Sequence, residues 1–491
     1  MNFLIDTNIF IPLESHNTDN REAEREAIAG LYRDLKKLNH HIFLLDTQKK
    51  DLENDKNEVR KQSHLLSFEK YELIENVQIA DAVKQIWEQG SGNDHDYIDL
   101  TLLNAVYVNA VSVLITNDNG IHKKAVKLGI EDRVYSLDDA LEFVRDRAPK
   151  KLRVRQDHPI IKKEKCYNVD VNNSLFDTLR ADYKGFDDWF RKKCSEAHRD
   201  CLTVRENGQL IGICIYKFEE VCYSMTGTIL KICTFKLSRS GNKLGELLLK
   251  NLFDYCYYSD VDWIYVTSFE KNYICQFFEK FGFRKYSDKK EDTGELIYRK
   301  KLHPDSDSLE ESPLAYHIQF GPRYFREDRQ SFLIPIHSNY YGLLFPETMN
   351  VNEFLFPELH YENGYSNTIQ KAYICKSNTR RLEPGSIIFF YITRLKQVQS
   401  CGIVEKTFFS SDPDEIISLT GKRTVYSYED IVKQCKGGKR LLIILFRQTD
   451  SLLKGLSFDN MKNNKLVKGY PQSITSLSEG AKQWILQHRT F

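Results

Sequence analysis

Four aspartates in the first part of the chain stand where they could support metal chemistry. Asp6 follows an apolar run in LIDTN, Asp51 follows HIFLLD, Asp99 lies in DYIDLTLLNAVYVNA, and Asp118 ends LITND. Carboxylates that converge in one crevice repel each other unless a divalent cation neutralises them. Oxygen ligands select hard ions such as Mg²⁺ or Mn²⁺, and such an ion activates water and stabilises charge on a phosphate. The four residues therefore predict a catalytic centre for metal-dependent hydrolysis of a phosphodiester.

The assignment of the second acid is open, because Glu53 and Asp46 lie close to Asp51 in the sequence. Asp96 lies one helical turn before Asp99 on the same face and adds a further carboxylate. A single Asp at a strand end more often caps a helix than binds a metal, but four in this order favour a metal site. The predicted metal ligands are Asp6, Asp96, Asp99 and Asp118. The polar residues predicted to orient these acids through hydrogen bonds are Thr7, Asn8 and Thr116.

Strands and helices alternate in this part of the chain and would position the acids. The apolar runs NFLID, HIFLLD and SVLITND are separated by stretches with helical patterning. This alternation predicts a parallel sheet with helices on both faces, and function collects at the carboxyl ends of such strands because the loops diverge there. The order of the acids, with Thr116-Asn117-Asp118 as T-x-D, resembles the PIN-domain family. The resemblance implies a nuclease, and it implies RNA as the substrate because bacterial members are mostly ribonucleases.

The middle of the chain resembles the GNAT acyltransferase family. The resemblance lies in the strand LKICTFKLS, the turn RSGNKLGELLLKNLF, the strand WIYVTSF and the segment KNYICQFFEKFGF. In that family the turn presents backbone N–H groups at a helix N-terminus to the pyrophosphate of coenzyme A. The residues that the resemblance assigns to acetyl-CoA are Ser240, Gly241, Asn242, Lys243, Leu244, Gly245 and Asn272.

This segment departs from the family's pattern at three positions. Ser240 stands at the usual Arg or Gln position, and Lys243 stands at an earlier glycine position, where its Cβ restricts the backbone. The tyrosine that protonates the departing thiolate appears as Phe278, which has no proton to give. Tyr273 or a water could substitute for it. Acetyl transfer, and a GNAT fold retained as a scaffold or a partner surface, both stay open.

The last part of the chain is rich in short β runs separated by Gly and Pro turns, which predicts a small β-barrel. The segments YYGLLFPE, RLLIILFRQ and KGYPQSIT resemble PUA-like barrels of the ASCH and EVE kind. Such barrels cradle a base or an RNA backbone between aromatic and basic side chains. The predicted RNA contacts are Tyr340 and Tyr341 for stacking, and Arg380, Arg381, Lys422 and Arg423 for phosphate. Tyrosines on strands are usually packing residues, so a structural role competes with each of these assignments.

Length and composition indicate a soluble protein with several domains. The 491 residues suggest about three domains, and 41% hydrophobic with 28% charged residues is typical of globular chains. The net charge of +1 means that any RNA-binding surface is a local basic patch. The eleven cysteines show no CxxC pair, which favours reduced thiols. No basic segment precedes the first apolar residues and no run reaches the ~18 apolar residues that span a bilayer, so we expect a cytoplasmic protein without a membrane segment.

Two segments of biased composition mark the predicted domain boundaries. The stretch 146–165 is basic, and the stretch 303–313 is acidic and contains no Lys or Arg. We therefore predict a PIN-like parallel α/β domain at 1–145, a GNAT-like α+β domain at 166–302 and a PUA-like β-barrel domain at 314–491. The linker residues predicted to contact RNA phosphates are Lys150, Lys151, Arg153 and Arg155.

The leading functional prediction is an endoribonuclease that uses Mg²⁺ or Mn²⁺ to cut a structured RNA such as tRNA, with an acyl-CoA-binding middle domain. A toxin or phage-defence context, with an antitoxin or another protein partner, rests on family analogy alone. The alternative is an N-acetyltransferase that is flanked by nucleic-acid-binding modules and acts on an RNA-linked or protein amine. A third hypothesis is a non-enzymatic RNA-binding adaptor.

Overall fold

The computed structural model describes most of the chain. The described residues are 1–14, 22–75, 77–88, 94–147, 160–206, 208–238, 243–269, 274–289, 294–305, 311–345, 348, 368–449, 452–453 and 456–490. They form two compact units. The first unit comprises Met1–Val154, Ser411–Lys422 and Ser427–Gly438, and the second comprises Arg155–Ser410, Arg423–Tyr426 and Lys439–Phe491.

The first unit is built on a five-stranded parallel sheet. Its strands are β1 (Asn2–Ile5), β2 (His41–Leu45), β3 (Glu72–Ile74), β4 (Val113–Ile115) and β5 (Val134–Tyr135). Its helices are α1 (Thr7–Glu14), α2 (Glu22–Lys37), α3 (Lys49–Glu53), α4 (Glu58–Phe68), α5 (Asp81–Glu88), α6 (Asp94–Tyr107), α7 (Asn119–Lys127) and α8 (Leu137–Arg147), followed much later in the chain by Pro413–Thr420 and Tyr428–Cys435. The strand order is β3-β2-β1-β4-β5, and every neighbouring pair is parallel. The predicted parallel α/β sheet is confirmed.

The carboxyl ends of β1 and β4 define the crevice of this sheet. β2 and β3 lie on one side of β1, whereas β4 and β5, which come later in the chain, lie on the other side. The strand order therefore reverses between β1 and β4. Open α/β sheets bind ligands at such a reversal, because the loops after the two strands run in opposite directions. Phe3, Leu4 and Ile5 of β1 are all buried, as expected for a strand covered on both faces. Asp6 follows β1 directly and Thr116 follows β4 directly.

The second unit contains a seven-stranded sheet from the middle of the chain. Its strands are β6 (Ile160–Lys165), β7 (Asp200–Glu206), β8 (Gln209–Glu219), β9 (Ile229–Leu237), β10 (Trp263–Ser268), β11 (Arg284–Lys289) and β12 (Leu296–Lys301). Its helices are α9 (Asp177–Asp182), α10 (Phe186–Trp189), α11 (Leu244–Tyr258) and α12 (Ile274–Lys280), with a π-helix at Phe190–Ser195. The strand order is β11-β12-β10-β9-β8-β7-β6. β9 and β10 are parallel, and the other neighbouring pairs are antiparallel.

A second large sheet in this unit comes from the last part of the chain. Its strands and the short pairs beside it are β13 (Ser331–Ile336), β14 (Gln370–Cys375), β15 (Ile387–Ile392), β16 (Gln397–Ser410), β17 (Leu441–Gln448), β18 (Leu452–Leu453), β19 (Leu456–Ser457), β20 (Thr475–Ser476) and β21 (Arg489–Thr490). The helices are α13 (Pro313–Phe320), α14 (Ser338–Leu344), α15 (Phe458–Asn463) and α16 (Glu479–Leu486). The strand order is β14-β17-β16-β15-β13-β20, with β19 beside β16 and a separate β18-β21 pair. In the described part of the chain no pairing joins β14 to β20, so the closed barrel that we predicted is not seen there.

The two sheets of the second unit meet at a buried boundary. The Arg447 guanidinium on β17 donates to the carbonyl of Lys280 at the end of α12, at 3.0 Å. The backbone N–H of Gln370 on β14 donates to the Glu246 carboxylate on α11, at 3.2 Å. The segments 166–302 and 314–491 thus share one compact unit apart from the two late helices of the first unit, and their independence as domains stays a prediction.

The predicted basic linker is partly structured. Residues 148–159 lie outside the described residues, but Ile160–Lys165 forms β6, which pairs antiparallel with β7. The prediction of a linker up to residue 165 was therefore wrong at its end. The run IIKKEK is charged because β6 is an edge strand, where solvated charges also discourage pairing with another chain. Within the acidic segment 303–313, residues 306–310 lie outside the described residues, and Pro313 begins α13.

All eleven cysteines are free thiols. Among the described residues, no helix is long and apolar enough to cross a membrane.

Candidate active site

The sheet formed by β6 to β12 in the second unit opens between β9 and β10. The two strands pair from Ile229 opposite Trp263 to Ile232 opposite Val266. Past that point, among the described strands, β9 continues beside β8 alone and β10 continues beside β12 alone. The two parallel strands therefore diverge toward their carboxyl ends and leave a wedge-shaped gap.

A β-bulge bends β9 where this gap begins. The consecutive β8 residues Ile215 and Tyr216 face Thr234 and Ile232, so Cys233 is an extra residue on β9. A bulge increases the local twist and turns a strand away from its neighbour. The bulge therefore coincides with the point at which β9 stops pairing with β10.

The gap between β9 and β10 contains a cavity of about 390 Å³. The strand residues that line it are Lys217, Lys231, Cys233, Thr234, Phe235, Val266, Thr267 and Ser268. Further lining comes from α9, α10, α12 and the residues just before β7 and β12. Because its walls come from both diverging strands, a ligand held here would contact the backbone of the sheet itself.

The centre of the cavity is apolar. Phe278 on α12 is fully buried, and its ring lies edge-on to Phe235 at 5.3 Å between centroids. Val266 completes this part of the lining. Phe278 thus places a hydrocarbon ring where the resemblance to the GNAT family would place a tyrosine hydroxyl.

A tyrosine and a glutamate meet at one end of the cavity. The Tyr183 hydroxyl donates to Glu295 Oε1 at 3.0 Å, and both residues line the cavity. The Tyr183 ring stacks on Phe269, and Glu295 is 6% exposed. Burial, together with the charge of Glu295, raises the pKa of Tyr183, so its hydroxyl keeps its proton at neutral pH. No sequence motif links these two residues, because 112 positions separate them along the chain.

Another part of the cavity lining is rich in cations. Arg199, Lys217 and Lys231 line it together with the bulged Cys233. Arg199 Nη1 lies 3.6 Å from the sulfur of Cys233. Burial raises the pKa of Cys233 to about 11, so this residue is a neutral thiol rather than a nucleophilic thiolate at neutral pH.

The predicted coenzyme loop is described only in part. Ser240, Gly241, Asn242 and Asn272, with the alternative proton donor Tyr273, lie outside the described residues. Lys243 adopts the left-handed conformation (φ 53°, ψ 22°) that a glycine would adopt more easily, and its ammonium lies 3.4 Å from the Glu246 carboxylate. Leu244 is buried, and a Cβ at Gly245 would lie 3.2 Å from the Phe277 ring. Their contacts with coenzyme stay a prediction.

In the first unit, Asp6 lies in the crevice at the end of β1. Its carboxylate accepts hydrogen bonds from the Thr116 hydroxyl at 2.6 Å, the Asn8 amide at 2.6 Å and the Thr7 backbone N–H at 2.6 Å. Burial raises the pKa of Asp6 to about 7, and the charges of Asp99 and Asp118 add to this shift. Three of the predicted acids are therefore near enough to influence each other.

The other predicted acids already have protein partners. Lys124 Nζ lies 2.9 Å from Asp99 Oδ2. The Asp118 carboxylate caps α7 by accepting from two backbone N–H groups, and the Thr7 hydroxyl lies 3.4 Å from Asp51 Oδ2. The side chain of Asp96 lies outside the described residues.

The metal centre that we predicted is not seen in the described part of the chain. There, no three His, Cys, Asp or Glu side chains are grouped closely enough to hold a metal ion. Asp99 is instead paired with Lys124, and Asp118 caps the N-terminus of α7.

The predicted RNA-contacting residues fall into separate environments. Tyr341 is fully buried with its hydroxyl 2.6 Å from Ser400 Oγ, and Arg423 is 9% exposed and paired with Glu405 at 3.3 Å. These two assignments were wrong, because both side chains are part of the interior. Tyr340 is half-buried and packs against Tyr426, with ring centroids 4.4 Å apart.

Arg380 and Arg381 are exposed, so a phosphate could reach them, and their contact with RNA stays a prediction. The remaining basic positions lie outside the described side chains, namely Lys150, Lys151, Arg153, Arg155 and Lys422.

No family model matches the sequence, and no curated protein matches it. Among solved structures, the chain is similar to the ASCH protein from Zymomonas mobilis, with 18% identity over 33% of this chain and 98% of that chain and a TM-score of 0.25. It is also similar to the PaiA N-acetyltransferase from Thermoplasma acidophilum in complex with coenzyme A, with 15% identity, coverage of 29% and 99%, and a TM-score of 0.23. A GNAT family acetyltransferase from Elizabethkingia anophelis with acetyl-CoA bound gives 13% identity, coverage of 30% and 99%, and a TM-score of 0.23. These TM-scores are too low to establish a shared fold.

Proposed function

We propose that the second unit binds an acyl-CoA in the gap between β9 and β10 and transfers its acyl group to an amine. The observation that carries this proposal is the cavity that fills the gap. Past Ile232, the edge of β9 that faces β10 has no strand partner among the described strands. An extended ligand that carries amide groups can pair with such an edge as an added strand. The pantetheine arm of coenzyme A is an extended chain with two amides.

The described residues fit an acyl-CoA along most of this path. Phe235, Val266 and Phe278 form an apolar surface beside the acyl end. At the other end, α11 begins at Leu244 and runs for 15 residues, so its N-terminus favours a diphosphate. Lys243 lies next to that N-terminus, where its ammonium is paired with the Glu246 carboxylate.

The cavity also contains groups suited to acyl transfer. A thioester supplies an activated carbonyl carbon, from which an amine displaces the thiolate as a C–N bond forms and the C–S bond breaks. Glu295 is buried beside the cavity and can take the proton that the amine loses, whereas Asp182, the other lining acid, is exposed. Tyr183 holds the Glu295 carboxylate in place. Since Phe278 carries no proton, the departing thiolate takes its proton from water.

Incubation of the purified protein with acetyl-CoA and a panel of amines tests this proposal. We expect an N-acetylated product, detected by mass spectrometry, at a rate well above that of a reaction without protein. A panel of small amines, peptides and aminoacyl-RNA that yields no acetylated product would contradict acyl transfer.

A second candidate function is phosphodiester hydrolysis in the crevice of the first unit. Asp6 and Asp118 follow β1 and β4, the two strands between which the strand order reverses. Asp99 is near enough for its charge to raise the pKa of Asp6. The acids fit a divalent cation only in part, because Asp99 is already paired with Lys124. An ion bound there would activate water and stabilise charge on a phosphate. RNA as the substrate stays a prediction from the sequence.

If this second candidate is right, the protein cleaves RNA with Mn²⁺ but not with EDTA, and Asp118→Asn abolishes the cleavage. The substitution removes a negative charge and keeps the shape of the side chain, so the fold should change little. Asp81→Asn is a matched control, since Asp81 is 91% exposed on α5. Gel analysis of the RNA reads out both variants, and cleavage that persists in EDTA or in Asp118→Asn would exclude a metal site at these acids.

A further inference from the structure

One wall of the β9–β10 cavity carries an excess of positive charge. Lys217 on β8 and Lys231 on β9 lie directly opposite each other, and Arg199 lines the same wall. Like charges placed directly opposite each other destabilise a sheet. Glu219 offsets part of this charge, since it forms an ion pair with Lys217, lies near enough to Lys231 to interact with its charge, and accepts a hydrogen bond from Tyr265. Three cations beside one acid leave this wall with a net positive charge, although Arg199 and Lys231 also lie over the rings of Trp189 and Tyr265.

The acid proposed to take the amine proton lies farther along the same sheet. Lys231 is paired with Tyr265 of β10, whereas Glu295 comes just before Leu296, which pairs with Ser268 at the end of β10. Three to four residues along a strand separate the two levels by about 10–13 Å between backbones. Side chains that reach into the cavity from both levels shorten this distance to the length of a small molecule.

We infer that the amine which accepts the acyl group also carries an anionic group, a carboxylate or a phosphate. The anion is held by Arg199, Lys217 and Lys231, and this orients the amine toward Glu295. Charge-assisted hydrogen bonds from Arg and Lys to these anions are the stronger kind, and the half-enclosed cavity screens them less than open solvent does. This inference rests on the proposed acyl transfer and specifies its substrate class.

Matched pairs of acceptors test the inference. One arm compares β-alanine with propylamine, and a second compares phosphoethanolamine with ethanolamine, so that carboxylate and phosphate are distinguished. We expect kcat/KM for acetylation to be at least tenfold higher for the anionic member of one or both pairs. The preference should weaken as NaCl is raised, because salt screens the attraction.

Charge-removing variants show where the preference originates. Lys231→Gln and Arg199→Gln should lower the ratio of anionic to neutral kcat/KM by about tenfold, mainly through KM. Lys192→Gln is the matched control, since Lys192 is exposed in the same unit and does not line the cavity. The melting temperature with each acceptor gives a second readout that needs no turnover, and we expect the anionic acceptor to raise it more than its neutral partner does.

The outcomes separate the inference from the proposed function. Acetylation of both members of each pair with equal kcat/KM overturns the anionic acceptor and leaves acyl transfer standing. If Lys231→Gln and Arg199→Gln keep the full preference for anionic acceptors, the anion is not held by these side chains. Failure of every amine, together with no binding of acetyl-CoA, overturns the proposed function itself.

Discussion

Replacing Glu295 by Gln is expected to lower kcat for acetyl transfer by about 10²–10⁴-fold, the contribution of a positioned general base. The amide keeps the shape of the side chain and can still accept the Tyr183 hydrogen bond, which is 3.0 Å long in the wild type. It cannot take a proton from the amine. The affinity for acetyl-CoA should change little, because the backbone edge of β9 and the apolar lining hold that ligand.

A conservative variant separates this role from a structural one. Glu295→Asp keeps a carboxylate that can take the proton, so it should retain a larger share of the wild-type kcat than Glu295→Gln does. Glu196→Gln is the control, because Glu196 is exposed and does not line the cavity. A Glu295→Gln protein with wild-type kcat would assign proton transfer to another group.

Arg447→Met is expected to destabilise the second unit by about 3–5 kcal/mol, the usual cost of removing one partner of a buried ion pair. Arg447 Nε lies 2.7 Å from Glu405, and the two side chains are 5% and 13% exposed. Burial alone would raise the pKa of Glu405, but Arg447 and Arg423 hold it below its usual value. Without Arg447, a buried carboxylate keeps weaker interactions with Arg423, Gln370 and Lys280.

The same variant should show a distinct dependence on pH. In the wild type the lowered pKa of Glu405 contributes stability above the unfolded pKa, and this contribution disappears as pH falls through the folded pKa. Arg447→Met removes the larger part of this contribution, so the difference in unfolding free energy from the wild type should be largest above pH 4.5, the ordinary pKa of the group, and should shrink as pH falls below it. Urea unfolding at several pH values measures it. Arg191→Met is the control, because it removes an exposed ion pair with Asp188 and should lower the free energy of unfolding by less than about 1 kcal/mol. An equal loss of stability in both variants would mean that burial of the Glu405 ion pair does not increase its contribution.

The parts of the fold that depend on local pattern were predictable from the sequence. Apolar runs such as NFLID and SVLITND, separated by helical stretches, fix the parallel sheet of the first unit because strands buried on both faces need no alternation. The strand that became β6 was missed, since an edge strand with the sequence IIKKEK has the composition of a linker. A charged edge strand is recognisable only once its partner is known.

The features of the site that decide its chemistry depend on contacts distant in sequence. Cys233 becomes a bulge only because β8 is one residue shorter at that point, which no pattern within β9 reveals. Tyr183 and Glu295 meet only through the folding of the whole sheet. The prediction of a nuclease depended on the order of four acids in the sequence. The sequence could not show that Lys124 would form an ion pair with Asp99.

Isothermal titration of acetyl-CoA into the wild type and into Thr267→Trp tests the central claim most directly. Thr267 lies on β10 inside the gap, so an indole there fills space that the ligand needs. Tyr258→Trp is the control, because Tyr258 is 85% exposed on α11 and does not line the cavity. We predict one binding site per chain in the wild type and in Tyr258→Trp, and loss of binding by at least tenfold in Thr267→Trp. No heat of binding at millimolar acetyl-CoA in the wild type, or equal affinity in Thr267→Trp, would contradict an acyl-CoA site between β9 and β10.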